Sequence, residues 1–374
     1  MRIAQVANFI SSTSDGLRRS VESLGEGYVR GGHCRLLIIP GTTDSVSHGP
    51  SGTLVSISSP SMMSGDRVIT NMTKVRQVLT RFRPTNLEVS DRWTMTWVAR
   101  WGKRRQIPSV LLSHDRLDDL ASFFLELDVT GQIHRMNRHL ARLYDRIVVT
   151  TRYSAGEWIN TSASLMVRPL GVDLDEFTPS KRPEQSKGRS RLVYAGQLAR
   201  EKSPHLAVAT AVELNRRGHD IQLDVYGTGR HFEELRVLAG EAPVFFHGYL
   251  DSRTALREAY QNADIVLSVC PVETFGLTVL ESLACGTPVV TADRGGAREV
   301  VDSSCAEWAS PDPVFLADAV LRMVARLKES EQTLRQAART HAEKYPWSRA
   351  IDSMLEVHSS LLQASTQPQC DEAC

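Results

Sequence analysis

The chain is poor in the features that settle many sequences at once. It has no basic or acidic excess: 44 Lys and Arg stand against 43 Asp and Glu, a net charge of +1. That disfavours bulk nucleic-acid binding, which needs a clear cationic surplus. No window approaches eighteen apolar residues, so no helical membrane span is expected. The six cysteines, Cys34, Cys270, Cys285, Cys305, Cys370 and Cys374, form no C-x-x-C pair and no zinc-type spacing. Reduced thiols in a cytoplasmic setting are the expectation, and Met1 to Ala7 reads directly as a strand rather than a targeting segment. The glycine loop near Gly16 lacks G-x-G-x-x-G with an acid about twenty residues on, which disfavours a dehydrogenase.

What the chain does have is alternation. Its 374 residues and 41% apolar content suit two ordinary globular domains. Residues 2–8 read as a buried strand, 9–16 as a polar glycine loop, 17–31 as a helix stopped by Gly31-Gly32, and 35–40 as the next strand. This βαβ start predicts a parallel sheet covered by helices, with ligands beyond the carboxyl ends of the strands. A Ser-, Gly- and Pro-rich stretch over 41–66 holds one short strand at 54–57. Helices are expected near 66–82, 93–104, 120–143 and 153–159, and strands at 86–89, 109–112, 146–150 and 165–173. Trp93, Trp97 and Trp101, at i, i+4 and i+8, would share one helix face, either packed inward or lining a groove or a membrane surface. The long helix bears His134, Arg135, Arg138, His139 and Arg142, a solvated face or one for anionic head groups.

After a polar stretch over 178–190, the alternation restarts. Strands are expected at 191–196, 222–226, 244–249, 264–269 and 289–291. Helices are expected at 204–217, 231–240, 252–262, 313–328 and 330–344, with a last one from Trp347 to about Leu362. Asp173-Leu174-Asp175 has the D-x-D pattern of metal-binding sugar transferases, but it falls in the linker and is set aside.

The stretch from Pro271 to Val290 organises the rest. It reads strand, loop with Glu273, helix with Glu281, turn, strand. A helix N-terminus opened by a glycine attracts anions through free N–H groups and the positive dipole end. One carboxylate precedes that site, and the second lies roughly 8 Å along the helix at about 1.5 Å per residue. A diphosphate flanked by hydroxyl-bearing groups, as in a nucleotide sugar, fits this layout.

The segment E-T-F-G-L-T-V-L-E (273–281) resembles the E-x7-E signature of retaining GT-B glycosyltransferases, the glycosyl transferases group 1 family. G-Q-L-A-R-E-K (196–202), V-Y-G-T-G (225–229), H-G-Y-L (247–250) and G-G-A-R-E-V-V (295–301) resemble the rest of that family's donor domain. P-L-G-V-D-L-D-E-F-T-P (169–179) is similar to its linker. V-A-N-F (6–9), D-G-L-R (15–18), L-E-V-S-D-R (87–92) and S-H-D-R-L-D (113–118) look like actinobacterial GDP-mannose-dependent phosphatidylinositol mannoside α-mannosyltransferases.

The resemblance implies an α/β GT-B fold of two Rossmann-like domains with parallel sheets facing a cleft. The N-terminal acceptor domain would span 1–173, with a C-terminal helix (347–363) packing back on it. A linker (174–190), a donor domain (191–346) and a disordered tail (364–374) complete the division. It implies that Glu273 binds the transferred sugar's hydroxyls, with backbone N–H groups of Phe275, Gly276 and Leu277 beside it. Glu281 would hold the ribose and Lys202 the leaving diphosphate. Gly16 and Gly227 would lie against the donor, Gly248, Tyr249 and Leu250 around the base, and His114 near the reacting carbon. Asp91, Arg92, Asp115 and Arg116 would meet the acceptor.

One position departs from the family pattern: Gln197 stands where an Arg usually forks the diphosphate, which leaves Arg200 to reach it. The implied activity is transfer of a hexose, mannose from GDP-mannose, to a glycolipid or small polyol hydroxyl, without cofactor or metal. The expected setting is cytoplasmic, at the inner face of the membrane. The alternatives are a UDP-sugar transferase with a small soluble acceptor, or a weakly active nucleotide-sugar-binding protein.

Overall fold

A computed structural model describes residues 1–8, 15–61, 67–125, 129–180 and 189–366. The chain divides into two compact units, Met1–Pro169 with Trp347–Cys374, and Leu170–Pro346.

The first unit runs β1 Arg2–Val6, α1 Asp15–Arg30, β2 Cys34–Gly41, β3 Ser45–Gly49, β4 Gly52–Ser58, α2 Met72–Phe82, β5 Asn86–Val89, α3 Thr96–Lys103, β6 Ser109–Ser113, α4 Leu117–Leu125, α5 Thr130–Leu143, β7 Arg146–Val149, α6 Arg152–Ala155 and β8 Leu165–Val167. Its sheet has the order β3-β4-β2-β1-β5-β6-β7-β8 and is parallel except for β3, which pairs antiparallel with β4. The central strands are buried on both faces, as parallel sheets require: every residue of β5 and β6 is buried. Helices α2, α3 and α5 cover one face, through Val75, Leu79, Val98, Trp101 and Leu140.

The second unit runs β9 Ser190–Ala195, α7 Pro204–Arg216, β10 Ile221–Tyr226, α8 Phe232–Ala239, β11 Val244–Gly248, α9 Arg253–Asn262, β12 Ile265–Ser268, α10 Leu277–Ala284, β13 Val289–Ala292, α11 Gly296–Glu299, β14 Ala306–Ala309 and α12 Pro313–Ala342. Its sheet, β11-β10-β9-β12-β13-β14, is wholly parallel. Helix α12 bends at Ser330 (φ −160°, ψ 69°), where the second of the two helices that the sequence predicts there was to begin.

Helix α13, Trp347–Thr366, belongs to the first unit. It buries Ile351, Met354, Val357 and Leu361 against Ile3, Leu24, Tyr28, Val110 and Leu112. Gly27 of α1 permits this approach, since a Cβ there would lie 2.3 Å from the Ile351 side chain. A buried polar network adds to the seam. Glu88 of β5 accepts from Gln5 (2.7 Å), Tyr28 (2.8 Å) and His358 Nε2 of α13 (3.0 Å). Arg35 donates to Gln5 and to the Val21 carbonyl.

Several boundaries differ from expectation. The first unit ends at Pro169, not at Asp173, and residues 174–180 are structured parts of the second unit. Phe177 is fully buried beside Tyr260, and Arg339 donates to the carbonyls of Leu174 and Phe177. The rest of the expected linker, 181–188, lies outside the described residues. So does 367–374 of the expected tail, while 364–366 continue α13. The exposed edge strand β3 and the short β14 escape the sequence reading, because neither carries a periodic apolar signal. The helix expected over 120–143 is α4 and α5, described on either side of 126–128.

The tryptophan stripe also divides. Helix α3 starts only at Thr96, so Trp97 and Trp101 pack on the core while Trp93 is 54% exposed.

Candidate active site

In the second unit the carboxyl ends of β9, β10 and β11 lock together through backbone. Gly196 N–H donates to Tyr226 O, Leu198 N–H to Thr228 O and Gly227 N–H to Gly248 O. The chains pass so closely that a Cβ on Gly227 would lie 1.9 Å from the Gly196 carbonyl oxygen, and Gly227 also has φ +136°. Gly227 is therefore a close-approach residue that seats the 196–202 loop. That loop turns through one short 3₁₀ segment, Arg200–Lys202, held by the Tyr194 hydroxyl on Lys202 O (3.1 Å). Gln197 and Arg200 are exposed, and Arg200 forms no ion pair among the described residues.

The loop after β12 meets this one. Lys202 Nζ lies 2.9 Å from Glu273 Oε2, and Thr274 N–H donates to Glu273 Oε1 (3.1 Å). Burial would raise the Glu273 carboxyl, but the Lys202 charge and hydrogen bond, with the N–H groups of Phe275 and Thr274, hold it below the ordinary carboxylate range. Cys270 fastens the two loops from beneath, its Sγ donating to Glu201 O (3.1 Å).

Helix α10 begins directly after Glu273, Thr274, Phe275 and Gly276. Gly276 takes φ +96° and gives no side-chain cap, so the helix opens with backbone N–H groups and its positive dipole end. Gly295-Gly296 packs flat behind it: a Cβ on Gly296 would lie 2.1 Å from the Thr274 carbonyl oxygen. Leu277 is half-buried and Phe275 buried. Glu281 is 5% exposed, four residues past Leu277, so about 6 Å along at ~1.5 Å per residue, somewhat less than expected.

Beyond β11, Tyr249 is exposed and Leu250 half-buried. Below them the His247 ring stacks on Tyr226 (4.7 Å, 20°) and its Nε2 bonds to Asp224 (2.7 Å), which also pairs with Arg191. Sequence reasoning missed Asp224 because His247 and Arg191 lie on the two strands that flank its own.

In the first unit, Gly16 is the exposed second residue of α1, and its carbonyl accepts from Ser20. His114 follows β6, half-buried, with its Nε2 enclosed and without a protein partner among the described residues. Burial, reinforced by Arg92 and opposed by Asp115 and Glu88, pulls its pKa down to about 4, so the ring is neutral near pH 7. A neutral imidazole with an unused ring nitrogen suits a hydroxyl ligand.

Three of the residues expected to meet the acceptor are engaged by protein partners. Asp91 is 2% exposed and accepts from Trp93 N–H, Thr94 N–H, Thr94 Oγ1 and Asn8, capping the turn before α3. Arg92 is 6% exposed and pairs with the buried Glu157 (2.8 Å), while also reaching Ser113 Oγ and Asp115 O. Arg116 is held by Asp118 (3.0 Å), by the Tyr153 carbonyl (2.9 Å) and over the Tyr153 ring. These contacts shape the His114 loop. Asp115 alone of the four is exposed. Asp173, set aside as a metal ligand, accepts from Asp175 N–H and Glu176 N–H as a turn cap.

Two parallel-sheet α/β units, the second with a lysine–carboxylate pair at an uncapped helix start, define a GT-B glycosyltransferase. The comparisons agree. Residues 176–344 match the family described as Glycosyl transferases group 1, and residues 14–176 match Glycosyltransferase Family 4. The chain is 35% identical over 366 residues, 95% of each chain, to a protein of Mycobacterium tuberculosis named GDP-mannose-dependent alpha-(1-6)-phosphatidylinositol dimannoside mannosyltransferase. It is 31% identical over 246 residues to a D-inositol 3-phosphate glycosyltransferase of Paenarthrobacter aurescens, covering 60% of this chain and 59% of that one. Among solved structures, sucrose-phosphate synthase from Thermosynechococcus elongatus matches with TM-score 0.80 and 18% identity, over 97% of this chain and 100% of that one. The chain belongs to the glycosyl transferases group 1 family, and it is a glycosyltransferase.

Proposed function

We propose that this glycosyltransferase is a retaining α-mannosyltransferase that moves mannose from GDP-mannose to a hydroxyl of a glycolipid such as a phosphatidylinositol mannoside. The observation that carries the chemistry is the Lys202–Glu273 pair at the open start of α10. A donor diphosphate arriving there competes with Glu273 for the lysine charge and frees the carboxylate for sugar hydroxyls. As the bond from the anomeric carbon to phosphate oxygen breaks, negative charge grows on the diphosphate. Lys202, Arg200 and the N–H groups around Gly276 and Leu277 then bind the transition state better than the ground state. The acceptor oxygen attacks from the face the phosphate leaves, and the leaving phosphate oxygen takes its proton. Glu281 binds the ribose diol, and Gly248 to Leu250 face the base. No metal is required at this centre.

The donor, sugar and acceptor rest on the relative named for GDP-mannose and phosphatidylinositol dimannoside, whose likeness covers 95% of both chains. A glycolipid acceptor also suits the outer helices of the first unit. Helices α2, α3 and α5 carry Lys74, Arg76, Arg81, Arg100, Lys103, Arg135, Arg138 and Arg142, and none of the three contains an Asp or Glu. In a chain of net charge +1 this concentrates the positive charge on one set of helices, as an anionic lipid surface would attract. No helix among the described residues is long and apolar enough to cross a membrane. The exposed, neutral Gln197 favours a second reading, a weakly active nucleotide-sugar-binding protein.

The test is parallel thermal-shift titration with GDP and UDP, followed by transfer from radiolabelled GDP-mannose to phosphatidylinositol mannoside and NMR of the product anomer. Preference for GDP with an α-linked mannolipid is expected. Stabilisation by UDP alone, or binding without transfer, overturns the proposal.

A further inference from the structure

Away from the helix start of α10, the second unit brings a thiol, an imidazole and a carboxylate together. Asp302 and Cys305 lie in the turn between α11 and β14, and His341 near the end of α12. The three offer one ligand atom each, all within 4.8 Å of one another. His341 Nδ1 is 3.0 Å from Asp302 Oδ2, and Cys305 Sγ is 3.9 Å from Asp302 Oδ1. Atoms at about 2.0–2.3 Å from a tetrahedral zinc ion lie roughly 3.3–3.8 Å apart, so small side-chain adjustments reach that geometry.

The surroundings are those of a cation site. His341 Nε2 faces the Val300 carbonyl at 2.9 Å, and a carbonyl only accepts, so Nε2 carries the proton. In the neutral ring Nδ1 is then an acceptor, and it points at a second acceptor, Asp302 Oδ2. The pair is held either by a proton on Nδ1 or by a cation beside both atoms. The Lys344 ammonium occupies that cation position, 3.4 Å from Nδ1 and 3.6 Å from Oδ2. Its side chain is 56% exposed and can swing into solvent. The imidazole orientation by a backbone carbonyl is the usual outer-shell arrangement of a metal-bound histidine. Cys305 is fully buried and His341 5% exposed, while Asp302 is half exposed and leaves an entry path. Sulfur, nitrogen and oxygen donors together suit zinc rather than magnesium or calcium.

We propose that Asp302, Cys305 and His341 bind a zinc-class divalent cation, which displaces the Lys344 ammonium and takes a water as its fourth ligand. On binding, the Cys305 thiol loses its proton to solvent and its sulfur bonds the metal. The ion ties the turn after α11 to the end of α12. That end leads through Tyr345, whose carbonyl accepts from Val172 N–H, to Pro346, where the chain passes back to the first unit. This is a structural clasp, separate from the sugar-transfer chemistry.

The test uses the protein stripped with EDTA, carrying Cys34→Ser, Cys370→Ser and Cys374→Ser to remove competing thiols. Co²⁺ titration should give a thiolate-to-cobalt charge-transfer band at one equivalent, bleached by Zn²⁺. Cys305→Ser should abolish the band, and His341→Gln should weaken binding at least about tenfold, the lower end of outer-shell effects. Lys344→Met should tighten it, since the competing ammonium is gone; a variant that merely misfolds cannot do this. No band at stoichiometric Co²⁺, a band that survives Cys305→Ser, or weaker binding in Lys344→Met overturns the proposal.

Discussion

Glu88 in the first unit, fully buried, and Glu273 in the second, half-buried, are both carboxylates held below the ordinary range, and in both burial works the other way. They differ in their partners. Glu88 is fully enclosed and accepts from Gln5, Tyr28 and His358, all themselves buried. Glu273 keeps 18% of its side chain accessible, and beyond the N–H groups of its own loop its one side-chain partner among the described residues is a lysine that is 44% exposed. The first arrangement has no capacity for a ligand, because each bond ties one framework element to another. The second can exchange its partner at little cost, since an exposed lysine pair is worth under about 1 kcal/mol. A carboxylate with a replaceable partner is the mark of a site, and a saturated one is the mark of a scaffold. Asp91 and Arg92 fall on the scaffold side by the same criterion.

Substitutions can break this contrast. The largest effect is expected for Glu88→Ala, which leaves His358 and Tyr28 without their acceptor and should cost about 3–5 kcal/mol, as for other broken buried pairs. Urea unfolding should show it, with α13 loosening first by hydrogen exchange. A loss below about 1 kcal/mol would place Glu88 outside the scaffold. Next comes Glu273→Ala. Turnover should fall about 100-fold or more, while nucleotide binding and melting temperature stay near those of the parent. Equal loss of binding and turnover would remove the positioning role and leave Glu273 as a simple binding group.

The smallest effect concerns pH. Glu88 and Glu273 have depressed folded values, so their stabilisation is complete above the ordinary glutamate value of 4.5 and is lost as pH falls through the lower folded values. His114 has the opposite chemistry but the same sign of slope. Its value drops from 6.5 to about 4, so between those limits the unfolded chain binds more protons and stability rises with pH. Comparison of unfolding midpoints should show a slope from pH 6.5 down to about 4 that flattens in His114→Gln. An unchanged slope would mean that His114 is not held neutral by its enclosure.

Much of the second unit was legible because its signals are local. A strand ends, glycines follow, a helix begins, and the Glu273–Glu281 spacing lies within one βα unit. The helix break near Ser330 was equally local. The first unit was less legible. Trp93, Trp97 and Trp101 have helical spacing, yet the Asp91 cap delays the helix to Thr96 and leaves Trp93 outside it. The edge strand β3 has only exposed residues, so no periodic burial marks it.

By itself the sequence determined the alternation of strands and helices, the parallel α/β class and the place of the donor-type loop, because burial period, glycine turns and helix starts are short-range properties. Only the tertiary structure decided which polar residues are free. Arg92 meets Glu157, Glu88 meets His358 and Asp224 meets Arg191 across wide gaps in the chain. A buried charge must find an opposite partner or hydrogen bonds wherever the fold supplies them, and nothing adjacent in sequence announces which it will be.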